Sequence, residues 1–538
     1  MRGVLLSIVL AVGAEWVGPN QALLLAAQDA ATLSPAELLG TRWLWCPVAR
    51  NKPLADATLN AVVAEVRQSQ VIRSTTVAGG SLLRVDLHDL SPREFTRAAK
   101  TWDRLKTFEL YEFGGGGEVV TTTATDHVEA RPAEGRTIAV GKVPAGYRFR
   151  PARTDQGKWL LCEYLGRKAW IALSDTRPAG DTPRLGRWLS DEAVIAGSSL
   201  AVATAAAVPI VRLEDFLRQA WASNDDGLYY DFLGVSRDYD EVLKQFGLDR
   251  KTIDGLGSDR WAAIFRSGVT DSPRAIVVSP TLGVSASAPG WYWESRDISR
   301  DAGDAEDPKK HPLRNLLSGK AVATEAFAPR ANGAIVYLLV QFDAAGKGTL
   351  ANEVPPNIAY DSTVKAPHDQ RLIAGRSCVV CHSLGTDDGF RPFTNAVPLL
   401  VKSGVDVLAD LTDRDGVAKI VDRYQWDSDD AIRGHRATFA RFTARAGGVG
   451  YTPAKFGADL SGVWHDYVFG DVTPEVAAVE LGATATKGKP LPPLARLIPR
   501  PAGQVIEDPV IGALLAGLSV TRRDWQLVAG EAIRRRVP

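Results

Sequence analysis

The chain has 538 residues, 45% of them hydrophobic, and its 63 Lys+Arg balance 63 Asp+Glu, leaving a formal net charge of zero. That composition is globular and long enough for several packed domains, and it excludes the basic field that binds nucleic acid. No uninterrupted apolar run is long enough to span a bilayer.

The first readable element is an export signal. Arg2 precedes an uncharged run over 4–14 (VLLSIVLAVGA), which has the layout of an n-region and h-region and is too short for a membrane span. Cleavage fits after Ala14 or after Ala27, and the extension of the apolar stretch over 22–27 favours Ala27. The alternative is an uncleaved anchor. The expected organisation is a signal peptide over 1–27 and a periplasmic or extracellular mature chain without a transmembrane segment. That chain divides into a mixed α/β unit (28–113), a linker with a small β-rich segment (114–207), a second mixed α/β unit (208–365) and a helical unit (366–538). The fold class expected is α+β multidomain.

Within the first unit, 59–68 (LNAVVAEVRQ) has helical periodicity, 81–87 (SLLRVDL) alternates like a strand, and Ser91-Pro92 opens a helix over 92–109. Gly114 to Gly117 breaks the pattern and marks a linker. The stretches 158–164 and 168–173, separated by Leu165-Gly166-Arg167, read as a hairpin in a small β-barrel or sheet. Residues 181–207 are Ala-rich and partly helical by pattern. Helical signals dominate 213–266, strands are expected at 274–278 and 290–294, and Asn332-Gly333 turns into an apolar strand over 334–342 (AIVYLLVQF). Beyond 366 the chain reads as mainly helical, including 429–445, with Pro-rich loops at 489–493 and 499–509.

The helical unit contains Cys378-Val379-Val380-Cys381-His382. This CxxCH spacing is the attachment signature of c-type haem. Two thiols three residues apart each add to one vinyl group of a single porphyrin, and the following imidazole binds the iron as proximal ligand. With 4 Cys and 7 His in the chain, chance gives the motif at roughly 0.0004 per chain. The cofactor expected is one covalent haem c on Cys378, Cys381 and His382. A dithiol redox pair with a lowered thiol pKa is the main alternative. A zinc site would need two further ligands.

The only methionine is Met1, so a His/Met axial pair is excluded. The candidate distal ligands rank His435, then His465, then His368, and an iron with no distal protein ligand stays open. Pro392 occupies the position from which a backbone carbonyl could orient His382. Cys46 and Cys162 could pair in an oxidising compartment or stay as buried apolar residues.

An ordered string of short motifs extends beyond the haem signature. It runs through Leu83-Arg-Val-Asp-Leu-His-Asp-Leu90, Trp102-Asp-Arg-Leu105, Pro209-Ile-Val-Arg-Leu-Glu-Asp-Phe216 and Tyr229-Tyr-Asp-Phe-Leu-Gly234. Arg266-Ser-Gly-Val-Thr270 with Ser272-Pro-Arg274, Trp291-Tyr-Trp293 with Arg296-Asp297, Asn332-Gly333, Asp343, Pro355-Pro-Asn-Ile358, Gly375 to His382 and Ala477-Ala-Val-Glu-Leu-Gly482 follow. In this order the chain resembles a poorly characterised family of secreted bacterial single-haem proteins with a cytochrome c-like domain. Residues 114–205 diverge most, and the family's Leu-Pro-Asn-Gly is here Arg330-Ala331-Asn332-Gly333. The resemblance implies a haem and a domain arrangement but supplies no substrate.

Three functions follow from these residues. Electron transfer through a six-coordinate haem, with an unidentified protein redox partner, is the leading one, so a catalyst is not the first expectation. A haem enzyme or a gas or peroxide sensor with an open axial position is the second; His435, Glu475 and Glu480 would be its candidate acid–base groups. The third is a binding or scaffold protein with a structural haem, in which Trp43/Trp45, Tyr229/Tyr230 and Trp291/Tyr292/Trp293 could line a groove, core packing being the more frequent reading of such clusters.

Overall fold

The structure, a computed structural model, describes residues 19–46, 52–64, 69–105, 119–128, 139–178, 210–264, 274–280, 291–298, 321–354, 370–383, 424–481, 493–498 and 508–528, short gaps within these stretches aside. Strand β1 (Thr41–Trp45, TRWLW) is buried along its whole length because both of its faces are covered. Leu44 points into the main core with Leu83 and Val85. Trp43 and Trp45 point the other way, where Ala22, Ala26 and Ala30 of helix α1 (Pro19–Ala30) close over them. These alanines are four residues apart and form one helical stripe. Asp29 anchors the helix by accepting from Trp43 Nε1 at 2.8 Å and from Arg84 at 3.0 Å. Cleavage after Ala27 would therefore remove Ala22 and Ala26 from over the two tryptophans. Of the two cleavage positions that the sequence offers, only Ala14 leaves α1 whole.

The first sheet has the order β4-β1-β3-β2, with β2 at Thr75–Val77, β3 at Leu82–Asp86 and β4 at Ile210–Arg212. β4 pairs in parallel with β1, Trp43 opposite Ile210. The intervening β-rich insertion forms a five-stranded and a three-stranded sheet, in which Trp159–Tyr164 and Arg167–Ala172 make the expected hairpin. The units expected at 28–113 and 208–365 thus share a sheet. They also share one continuous apolar core that runs from Leu44 to Tyr467. Residues 472–528 build a second, smaller cluster.

The scaffold under the site is a six-stranded antiparallel meander. Its strands in order are β5 (Arg260–Ile264), β6 (Arg274–Pro280), β7 (Trp291–Ile298), β8 (Ala321–Pro329), β9 (Ile335–Phe342) and β10 (Gly348–Leu350). β5 lies where helical periodicity was expected, and β8 and β10 were not anticipated. β8 is rich in alanine (AVATEAFAP), which weakens the β-branched signature of a strand; pairing on both sides holds it in place. Likewise, 59–68 is not a simple helix: an α-helix at Lys52–Thr58 runs into a π-helical turn at Leu59–Val63.

Helices α2 (Arg376–Ser383), α3 (Asp429–Gly447) and α4 (Pro453–Gly462) belong to the C-terminal unit, yet Val379, Phe442 and Phe456 enter the main core. Short strands at Asp471–Val472 and Val520–Thr521 pair in that unit as well. The molecule thus combines helices with several sheets, and among the described residues no helix is long and apolar enough to cross a membrane. The segments 181–207, 489–492 and 499–507 lie outside the described residues.

Candidate functional site

Helix α2 begins at a backbone position that requires glycine. Gly375 has φ +81°, and a Cβ there would meet the carbonyl oxygen of Trp221 at 2.5 Å and the Tyr229 ring at 2.8 Å. Ser377 ties the preceding turn to the helix: its Oγ accepts from the Ile373 amide at 3.0 Å, and its own amide donates to the Ile373 carbonyl. Ser223 Oγ donates to the Asn352 carbonyl at 2.6 Å and lies 3.3 Å from the Ala374 carbonyl, joining the helix start to the neighbouring loops.

On α2, Cys378, Cys381 and His382 stand at i, i+3 and i+4, within roughly a 100° arc of one helical face. Cys378 is buried and Cys381 exposed, and the four cysteines form no disulfide with one another. The His382 ring packs edge-on against Phe327 with centroids 4.4 Å apart and stacks at 6.0 Å on Tyr337. Phe327 is the cross-strand partner of both Tyr337 and Trp293. These three aromatic residues therefore share one face of the sheet, and α2 lies on it.

One row along the same face, Glu325 stands opposite Ser295. Its carboxylate contacts the Cys378 thiol and lies 3.7 Å from His382 Nε2, with one-fifth of the side chain exposed. Arg274 reaches Glu325 at 3.7 Å and Asp297 at 2.6 Å. Burial pushes the Glu325 carboxyl up, but His382, Arg274 and Cys378 outweigh it and hold the group below its ordinary value. Burial raises the Asp297 carboxyl, with Arg274 opposing. Burial, followed by the Glu325 charge, pushes the Cys378 thiol well up. This is the reverse of the lowered value that a dithiol nucleophile needs. No group of three or more His, Cys, Asp or Glu among the described residues is arranged to hold a metal ion.

His435 is buried on α3 over the same sheet face. Its Nε2 accepts a hydrogen bond from Trp293 Nε1 at 2.8 Å, and burial pulls its imidazole down to about 4. The ring is thus neutral with its proton on Nδ1. Its neighbour Trp293 is the cross-strand partner of Phe327, against which His382 packs. The structure therefore brings His382 and His435 to one sheet face, although the Nε2 atom of His435 faces Trp293. His465 does not join them: it is exposed on the π-helical turn Val463–Val468, 6.2 Å from the Phe469 ring. His88 pairs with Asp86 at 2.9 Å, far from α2 in sequence. His368, His311 and Pro392 lie outside the described residues.

Several sequence expectations are corrected here. Glu480 is no distal acid–base group, because it is buried and fully engaged by Arg522, Arg212 and Trp525. Glu475 is exposed on Pro474–Glu480. The aromatic groups that a groove would use are core, the more frequent reading of such clusters: Trp43, Tyr229, Tyr230 and Tyr292 are each at most 1% exposed, and Trp293 faces His435. The sequence reading missed Glu325, and it named Arg274 and Asp297 only within the resemblance motifs, without a role. The residues are far apart in the chain, and only the meander register assembles them. Cys46 and Cys162 are both buried thiols rather than a disulfide.

The donor set fits haem c. Two thiols and an imidazole share one helical face, and Phe327 and Tyr337 give the imidazole an apolar wall. No family model, curated protein or solved structure matches the chain.

Proposed function

We propose that the chain is an exported mono-haem c-type cytochrome whose role is electron transfer. The observation that carries this reading is the placement of Cys378, Cys381 and His382 on one face of α2, against the aromatic face of the meander. The two thiols would each add across a vinyl group, the sulfur bonding one vinyl carbon and the thiol proton passing to the other. His382 would supply the axial nitrogen. The bound group would contribute reversible one-electron exchange at its iron. Phe327, Tyr337 and Trp293 form a continuous aromatic row on the sheet, and Phe327 and Tyr337 pack against the imidazole. A periplasmic or extracellular location and a protein redox partner complete the reading.

The test is covalent attachment. Produced with haem maturation factors, the wild-type chain is expected to stain for haem on a denaturing gel, and the double variant Cys378→Ser, Cys381→Ser to lose the stain. Staining that persists in the double variant would show the assignment to be wrong.

A second reading, an open axial position, is favoured by the engagement of His435 Nε2 with Trp293 and by the exposure of His465. Adding carbon monoxide to the reduced protein separates the two. A shifted spectrum supports the open site and moves a sensor or enzyme ahead of a carrier; an unmoved one supports a bound distal side chain.

A further inference from the structure

We propose that Glu325 is the positioning residue that sets the reduction potential of the iron bound at His382, holding it below the value that the same site would have with a neutral side chain there. The inference rests on the haem reading above. Among the described side chains on the site face of the meander stand two carboxylates, Glu325 and Asp297, and one guanidinium, Arg274. Arg274 lies 2.6 Å from Asp297 and 3.7 Å from Glu325, so Asp297 is the more closely matched of the two. The three side chains together carry one net negative charge, and the Arg274 and Asp297 side chains are no more than 10% exposed. The surplus charge sits on Glu325, whose carboxylate faces α2.

What it faces are two of the three residues that would hold the haem. Glu325 contacts the Cys378 thiol and stands 3.7 Å from His382 Nε2. A ferric porphyrin core carries one net positive charge, and the ferrous core carries none. A fixed negative charge at this range, in a setting less polar than water, stabilises the ferric form more than the ferrous form. The result is a lower potential, a lever on redox chemistry that acts without changing the axial ligand. Glu325 is also well held. It projects from β8, which is paired on both sides, Ser295 opposite it on β7 and Leu339 on β9. Its charge is thus delivered at a fixed place by the sheet.

The test is a spectroelectrochemical titration of the covalently loaded protein, in which one electron from the mediator reduces ferric iron to ferrous. Glu325→Gln removes the charge and keeps the shape, and is expected to shift the midpoint potential upward. Glu325→Asp keeps the charge and is expected to stay close to wild type. Asp297→Asn removes the same charge one strand further from His382, and is expected to give a smaller upward shift. Asp297→Asn also decides the matter if Glu325→Gln does not fold. A wild-type protein that stains for haem, with a potential that is unchanged or lowered in the charge-removing variants Glu325→Gln and Asp297→Asn, overturns the role of Glu325 and leaves the cytochrome reading intact. A wild-type chain that carries no covalent haem overturns both.

Discussion

His435 shows what burial does to a single titratable side chain. It is 7% exposed, and its imidazole is pulled down to about 4 while Nε2 accepts from Trp293. In the unfolded chain a histidine titrates near 6.5. Between these two values the unfolded state takes up a proton that the folded state refuses, so stability rises with pH there. The contribution is present in full above the unfolded value and is lost as the pH falls toward 4. A separation of this size corresponds to about 3 kcal/mol. Urea unfolding at pH 7 and at pH 4.5 measures it. The wild-type protein is expected to lose more stability between those pH values than His435→Gln, whose amide oxygen can still accept from Trp293. Equal losses in the two proteins would mean that His435 is not the group responsible.

Helix α2 depends on its first turn. Gly375 at φ +81° precedes the helix, and the space a Cβ would need is filled by the Trp221 carbonyl and the Tyr229 ring. Both obstacles are buried and belong to the main core, so neither can retreat cheaply. Gly375→Ala is therefore expected to destabilise the protein by roughly 2–3 kcal/mol, from left-handed strain and displaced packing together. It should also reduce the yield of haem-stained protein, because α2 presents both thiols. Thermal unfolding and the stained fraction report the two effects, and wild-type values in both would show that the turn tolerates a side chain. The same elements show how much the sequence could reveal. CxxCH was legible because its chemistry is local, and so were β3, β9 and the Trp159 to Ala172 hairpin, where period-2 alternation carries the signal. Glu325 was not legible, since one glutamate in an alanine-rich strand looks like any surface residue until Ser295, Leu339 and α2 are placed around it. The tryptophans and tyrosines left a groove and a core both open for a related reason. Clustered aromatic residues have the same composition in a groove and in a core, and only the covering elements, such as α1 over Trp43 and Trp45, decide between them.

At the scale of the whole molecule, the smaller C-terminal cluster is tied to the rest through a buried carboxylate, beside the bond of Arg522 Nε to the Tyr467 carbonyl at 3.1 Å. Glu480 accepts from Arg522 at 2.7 Å through both oxygens, from Trp525 Nε1 at 2.7 Å and from Arg212 at 3.3 Å. Arg212 belongs to β4 of the first sheet, whereas Arg522 and Trp525 lie close to the end of the described chain. Tyr467 is sandwiched between the two guanidinium groups, 4.7 Å from Arg212 and 4.5 Å from Arg522, and its hydroxyl donates to Asp215 at 3.0 Å. Burial pushes the Glu480 carboxyl up, but Arg522 and Arg212 outweigh it, so the group stays ionised and paired. Removing one partner of such a cluster leaves buried charge without compensation, which costs about 3–5 kcal/mol. Glu480→Gln would remove one carboxylate from Arg212, Glu214 at 3.0 Å remaining, and leave Arg522 facing a neutral amide. The loss is expected to fall on the junction, because the apolar cluster of residues 472–528 is separate from the main core. Limited proteolysis should then cut Glu480→Gln within or just before residues 472–528 much faster than wild type, while the larger fragment keeps its haem stain. If cleavage spreads evenly over the chain instead, Glu480 supports the whole fold and not the attachment of its last segment.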